Sequence, residues 1–244
     1  MCVAGGAPKK DDRLSDGEFG QHGHETAAGE PLYTEERDAL VACVRRLAAH
    51  GLLSQTAGNV SVRLGQAVLI TPTGMEYEVI AASDLVVAAL DGTVPTGQRE
   101  PSSELPLHRA VYAARADVGA VVHTHSRFAT TLAILGLPVP AVHYMIGSLR
   151  VTQIPLVHYE TYGSSALAEM VRGVLVAPGR AALIANHGLV AVGPDLDVAA
   201  GGAETAEMVS EFYYRSLAIG KPNILSDEEI RRVMVKFESY GQPD

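Results

Sequence analysis

The sequence predicts a single α/β domain, and three observations predict it. Short apolar runs alternate with segments of helical spacing along most of the chain. Several of those runs end in polar turns that contain glycine. No internal repeat and no linker interrupts the pattern, so one domain covers residues 33–244. With 47% hydrophobic and 19% charged residues, the chain has the composition of a globular protein with a sizeable core.

Residues 1–32 stand apart. They are rich in glycine and charge, poor in branched apolar residues, and show no period. Such a segment does not bury enough surface to offset its ordering entropy, so a disordered tail is expected. His22 and His24 within it read as solvated polar sequence.

The domain is expected to open with a helix capped by Thr34. Glu35 and Glu36 lie in the first turn, where the helix dipole favours acids. Leu40, Val41, Val44, Leu47 and Ala48 recur with helical spacing, and Gly51 ends the helix. Residues 60–64 and 67–70 read as strands joined in a hairpin at Gly65-Gln66, and residues 85–90 as a third strand before the Asp91-Gly92 turn. Ser102 or Ser103 is expected to cap a helix running to about Arg115, with Pro106 tolerated in its first turn. Residues 118–122 form a buried strand, 128–135 a helix, and Pro138 with Pro140 an extended segment. Residues 154–157 read as a strand. Ser164 or Ser165 caps a helix to about Val176, and residues 181–185 and 189–192 are strands. A long helix follows Pro194-Asp195, with Glu204, Glu207 and Glu211 on its polar face. A last helix runs from Ser226 to about residues 239–241.

The candidate chemistry begins at Val121-Val122-His123-Thr124-His125. Side chains two apart on a strand point the same way, so His123 and His125 aim at one spot, as a metal site requires. Two hydrogen-bonded histidines at a strand end are the competing explanation. His187, beside Gly188 at the end of another apolar strand, is the best third ligand, ahead of His143 and His158. Three neutral imidazoles hold a zinc ion with open positions, the catalytic arrangement. Three polar turns, at Gly58-Asn59, Thr73-Gly74 and Ser102-Ser103, suggest a phosphate site, the last at a helix N-terminus. Glu104 is the acid nearest to them.

These motifs resemble the class II aldolase/adducin family, most of all its L-fuculose-1-phosphate aldolase branch. The resemblance runs over roughly residues 34–241. Its motifs are Thr56-Ala57-Gly58-Asn59-Val60-Ser61, Ile70-Thr71-Pro72-Thr73-Gly74, Pro101-Ser102-Ser103-Glu104, His143-Tyr144-Met145-Ile146, Asn186-His187-Gly188 and Leu225-Ser226-Asp227-Glu228-Glu229. It implies a three-layer α/β/α domain with a mainly antiparallel central sheet, a zinc ion, and a homotetramer with active sites between subunits. It also implies reversible cleavage of a ketose 1-phosphate, L-fuculose 1-phosphate or a close analogue, to dihydroxyacetone phosphate and a small aldehyde.

By the same resemblance His123, His125 and His187 are the zinc ligands, and Glu104 is the acid/base that also contacts zinc in the resting enzyme. Tyr144 handles the proton on the aldehyde oxygen, from a neighbouring subunit. Thr56, Gly58, Asn59, Thr73, Gly74, Ser102 and Ser103 hold phosphate, and Tyr162 and Tyr240 line the aldehyde side. Three positions depart from the pattern and bear on the aldehyde: Tyr162 in place of Phe, Asn186 in place of a further His, and Gly147-Ser148-Leu149-Arg150 in place of a small-residue run. A sugar-phosphate 4-epimerase, a decarboxylase or a dehydratase of the family remain as alternatives. So does a non-catalytic adducin-head-like module, which the three histidines disfavour.

A formal net charge of −9, no tryptophan and no basic block disfavour nucleic acid and anionic membranes as partners. Cys2 and Cys43 have neither metal spacing nor a disulfide framework, which points to the reducing cytoplasm. No apolar run reaches membrane-spanning length, and no signal-peptide core is expected ahead of Lys9 and Lys10.

Overall fold

Val121 and Val122 are neighbours on one strand, and both are fully buried although they point to opposite faces. Both faces of that strand are therefore covered, which requires a layer of helices on each side. A computed structural model describes residues 33–240. The expected tail, with His22 and His24, and residues 241–244 lie outside them.

The chain runs through helix α1 (Thr34–Ala49), strands β1 (Asn59–Leu64), β2 (Ala67–Ile70) and β3 (Val86–Ala89), and helix α2 (Leu105–Ala114). Strand β4 (Ala120–Thr124) and helix α3 (Arg127–Ile134) follow, then β5 (Val139–Pro140), a 3-10 helix (Tyr144–Leu149), β6 (Gln153–Ile154) and β7 (Leu156–Val157). Helix α4 (Ser165–Val174), strands β8 (Ala181–Ile184) and β9 (Gly188–Gly193), and helices α5 (Leu196–Ile219) and α6 (Asp227–Phe237) complete it. The central sheet has seven strands in the order β3-β2-β1-β4-β9-β8-β7, all neighbours antiparallel except β7 and β8. One face packs Val60, Val122, Leu189 and Ala191 against α1, α3 and α5. The other packs Val68, Val121, Val190 and Val192 against α2 and α4. This is the expected three-layer, mainly antiparallel α/β/α domain.

The sheet register places the site. Asn59 at the start of β1 pairs with His123 near the end of β4, and Thr124 pairs with Leu189 at the start of β9. A bridge between Pro72 and Pro101 brings the start of α2 to the same end. All the polar turns that carry candidate residues therefore meet at one edge of the sheet.

Several elements differ from expectation. Thr34 is the first residue of α1, with Tyr33 at the cap position. Glu104, not Ser102 or Ser103, holds the N-cap position of α2 and makes no side-chain cap bond. The Pro72–Pro101 bridge keeps Ser102 and Ser103 in the turn, where Ser102 Oγ accepts the Glu104 N–H at 3.3 Å. Residues 154–157 are two strands rather than one, because Pro155 separates β6, in a small second sheet with β5, from β7 in the central one. The last helix stops at Phe237. Other caps are as expected: Ser164, Asp195 and Ser226 each accept a backbone N–H of the first turn.

Glu207 does more than lie on the polar face of α5. Ser126 at the start of α3 makes no side-chain cap bond. The Glu207 carboxylate instead accepts the N–H groups of Phe128 at 2.8 Å and Ala129 at 2.9 Å. An acid from another helix thus satisfies two free donors at the positive end of the α3 dipole. Glu207→Ala is expected to lower unfolding free energy by about 1–2 kcal/mol. Urea denaturation measures this, and an unchanged midpoint would mean that the α3 start is held by other groups.

Candidate active site and metal centre

His123 and His125 project from the end of β4 to one side, and the turn into β9 delivers His187 to the same point. His123 Nε2 lies 3.0 Å from His125 Nε2, 3.2 Å from His187 Nε2 and 3.0 Å from Glu104 Oε2. Glu104 Oε1 is 3.5 Å from His187 Nε2. One ligand atom from each of the four residues falls within 4.8 Å of all the others. Ligand bonds of about 2.0–2.1 Å in a tetrahedral site place ligand atoms about 3.3 Å apart, so the cluster has the size a zinc-like ion requires.

Two backbone details make this approach possible. Asn186 adopts the left-handed conformation at φ 54, which turns the chain sharply before His187. Gly188 follows. A Cβ there would lie 2.3 Å from the Thr124 carbonyl oxygen and 2.9 Å from the His125 ring. Any side chain would therefore push β9 away from the histidines.

The protonation pattern fits a cation. His123 Nδ1 donates to the Leu189 carbonyl at 2.9 Å, which leaves Nε2 as the ring nitrogen turned toward the cluster. Burial pushes His125 and His187 down to about 4, helped by the charge of neighbouring imidazole, so both are neutral at pH 7. Burial opposes ionisation of Glu104, yet His123, His187 and the Asn59 amide outweigh it and hold the carboxyl below the usual range. Burial likewise works against a charged His123, and the Glu104 carboxylate beside it outweighs that and raises it. A buried carboxylate that draws positive charge onto His123, with two neutral imidazoles beside it, marks a place for a cation. Glu104 Oε1 is buried and makes no hydrogen bond within the described residues. The three imidazoles and this carboxylate therefore fit a divalent ion.

A cleft of about 280 Å³ opens from the cluster. Thr56, Gly58, Asn59, Thr73, Gly74, Ser102, Ser103 and Tyr162, all expected site residues, line it with Glu104, His125 and His187. Gly58 sits at φ 87, where its missing Cβ would lie 2.7 Å from the His123 carbonyl oxygen, and Tyr77 Oη donates to its carbonyl at 2.5 Å. The first turn is thus pinned to the end of β4. Asn59 lines the cleft as well, and its side-chain Nδ2 donates to Glu104 Oε2 at 3.0 Å.

Tyr144 and Tyr240 are not brought to the cleft within one chain. Tyr144 is half exposed and stacks on Phe237 with ring centroids 6.3 Å apart, and the Tyr240 ring packs edge-on against Phe237. His143 caps the 3-10 helix beside Phe212, and His158 is exposed, so neither rival ligand joins the cluster. Sequence reasoning missed Tyr159, which lines the cleft three residues before Tyr162. It also missed the buried residues behind Asn59. No helix among the described residues is long and apolar enough to cross a membrane.

Comparison with known proteins shows the family. A model of the class II aldolase and adducin N-terminal domain matches residues 38–214. A 5-deoxy-D-ribulose 1-phosphate aldolase of Bacillus thuringiensis serovar kurstaki is 39% identical over 213 residues, 86% of this chain and 99% of the relative. A 5-methylthioribulose-1-phosphate/5-deoxyribulose-1-phosphate aldolase of Rhodospirillum rubrum is 42% identical over 207 residues, 84% of this chain and 92% of the relative. Among solved structures, an L-fuculose 1-phosphate aldolase superposes with a TM-score of 0.79 at 34% identity, covering 84% of this chain and 97% of the other. The chain belongs to the class II aldolase and adducin N-terminal domain family. Within that family it is an enzyme, a class II aldolase.

The ligand set makes a direct prediction. His187→Ala removes one of three imidazoles and is expected to bring metal content from about one ion per chain to near zero, as a three-ligand site implies. Elemental analysis after dialysis measures it. Full occupancy in the variant would show that the ion lies elsewhere.

Proposed function

We propose that the chain is a zinc-dependent aldolase that cleaves a ketose 1-phosphate reversibly to dihydroxyacetone phosphate and a small aldehyde. The substrate class is L-fuculose 1-phosphate or a close analogue such as 5-deoxyribulose 1-phosphate. One observation carries the reading: Glu104, His125 and His187 of the metal cluster and all three polar turns line a single cleft. The names of the relatives support the sugar phosphate, since they act on 1-phosphorylated ketoses.

The roles follow from the chemistry of each group. Thr56, Gly58, Thr73, Gly74, Ser102 and Ser103 offer hydroxyl and backbone donors at the start of α2, where the helix dipole adds positive potential for a phosphate. Anchoring the phosphate there converts its binding energy into placement of the reacting carbons. A divalent ion held by His123, His125 and His187 would supply Lewis-acid polarisation of the substrate carbonyl oxygen. Glu104 is the proton carrier at C3 of dihydroxyacetone phosphate. Glu104 lines the cleft, and its Oε1 makes no hydrogen bond within the described residues. Tyr159 and Tyr162 stand at the exposed rim, on the side left for the aldehyde.

The proposal includes a cytoplasmic homotetramer in which Tyr144 and Tyr240 reach the cleft of a neighbouring subunit. Both are exposed and pack on Phe237 outside the cleft of their own chain, which supports this.

A panel of ketoses with and without the 1-phosphate, scored for dihydroxyacetone phosphate release, tests the function. Fuculose and 5-deoxyribulose 1-phosphates differ by one hydroxylated carbon in the aldehyde, which an apolar pocket distinguishes only by about 10–200-fold. Both phosphates are expected to be cleaved, and the free sugars not. Equal turnover of free L-fuculose would defeat the phosphate pocket. Epimerisation of L-ribulose 5-phosphate without release of dihydroxyacetone phosphate would replace the aldolase with an epimerase.

A further inference from the structure

Glu104, His108 and Tyr112 recur every four residues, so they share one stripe at and along α2. Asn59 and Ser61 alternate on β1, so they share the sheet face toward that stripe. The two periods meet in a continuous buried chain. Asn59 Nδ2 donates to Glu104 Oε2 at 3.0 Å, and Asn59 Oδ1 lies 2.6 Å from His108 Nε2. His108 Nδ1 lies 2.6 Å from Ser61 Oγ, which lies 2.7 Å from the Tyr112 hydroxyl.

With a neutral His108 ring, every bond in this chain has only one allowed direction. The Glu104 carboxylate only accepts, so the Asn59 amide must present its NH₂ group to it. Asn59 Oδ1 then faces His108 and only accepts, so the His108 proton sits on Nε2. His108 Nδ1 therefore accepts from Ser61 Oγ, and Ser61 accepts from Tyr112. Tyr112 also reaches the Ser61 carbonyl at 3.1 Å. Donors thus run one way, from Tyr112 to Glu104. Ser61 and His108 are 0% exposed and Tyr112 1% exposed, and none of the three lines the cleft. Val111, Val121 and Leu107 fill the layer around them. Burying an imidazole and two hydroxyls in an apolar layer costs desolvation that their hydrogen bonds to one another and to Asn59 offset.

We propose that His108, backed by Ser61 and Tyr112, is a positioning residue for Glu104, acting through Asn59. The His108 proton selects one of the two orientations of the Asn59 amide. The other would set Oδ1 against the carboxylate and repel it. With Oε2 held by Asn59, Oε1, which makes no hydrogen bond within the described residues, is the oxygen left to carry the proton. The inference rests on the reading of Glu104 as the proton carrier in the aldolase reaction.

The test uses the full-length, zinc-loaded protein with His108→Leu, His108→Gln and Tyr112→Phe. Solvent deuterium exchange at C3 of dihydroxyacetone phosphate, followed by NMR, reports Glu104 without needing an aldehyde. His108→Leu is expected to slow exchange at saturating substrate by about 10–100-fold, the range for groups that orient metal ligands. KM for dihydroxyacetone phosphate and zinc content should stay near wild type. His108→Gln, with a donor and an acceptor in place of the ring, should recover most of the rate. Tyr112→Phe, which keeps the buried ring, should slow exchange by a few-fold and serves if the leucine variant does not fold. Long-range ¹H–¹⁵N NMR of the unsubstituted protein should show a neutral His108 with its proton on Nε2.

Wild-type exchange in His108→Leu, or in Tyr112→Phe where the leucine variant is unfolded, would overturn the inference. So would a loss that glutamine leaves unrepaired and that tracks melting temperature alone, or the opposite tautomer. If the unsubstituted enzyme showed no C3 exchange, the role of Glu104 itself would fall, and this inference with it.

Discussion

Three imidazole nitrogens and a carboxylate oxygen lie within 4.8 Å of one another, and His123 and Glu104 among them are buried. A carboxylate and three imidazoles gathered that closely in a weakly screened interior need a positive charge among them, a proton or a metal ion. Much of the surrounding structure can be understood as holding that arrangement. The Leu189 carbonyl fixes the His123 tautomer, and the left-handed Asn186 aims His187. The absent side chain of Gly188 lets β9 close on β4, and Asn59 holds one oxygen of Glu104. The cluster is therefore prepared by the fold before any ion arrives, which is the usual condition for efficient electrostatic catalysis.

The sheet order is what turns these separate residues into a site. β1 and β4 are far apart in sequence but adjacent in the sheet, so Asn59 stands opposite His123. Antiparallel pairing then places the start of β1, the end of β4 and the start of β9 at one edge. The α2 N-terminus joins them through the Pro72–Pro101 bridge. A cleft at such an edge is lined both by Glu104, His125 and His187 of the cluster and by the three polar turns.

What could be read in advance depended on the range of the interactions. The strand ending in His123 and His125 was legible because apolar runs and ligand side chains are local signals. The three-layer arrangement came from family resemblance, since periodicity does not report which strands pair. The α2 cap was placed one or two residues early, at Ser102 or Ser103. What moves it to Glu104 is a bridge to Pro72, about 30 residues away in sequence. Pro155 was visible, but its effect of sending β6 and β7 to different sheets depends on their partners. The spacing of Glu104, His108 and Tyr112 by fours was open to inspection too. It acquires meaning only when α2 is known to lie over Asn59 and Ser61. Tyr144 and Tyr240 mark the limit of a single chain, because their expected roles depend on a second copy.

X-ray absorption at the zinc edge of the purified, zinc-reconstituted protein tests the central claim most directly, because it reads the atoms around the ion without reference to substrate. The account predicts three imidazole nitrogens at about 2.0–2.1 Å and an oxygen ligand at a similar distance, with no sulfur. Loss of one imidazole contribution in His125→Ala would accompany it. A first coordination sphere containing thiolate, or one unchanged in His125→Ala, would contradict the account.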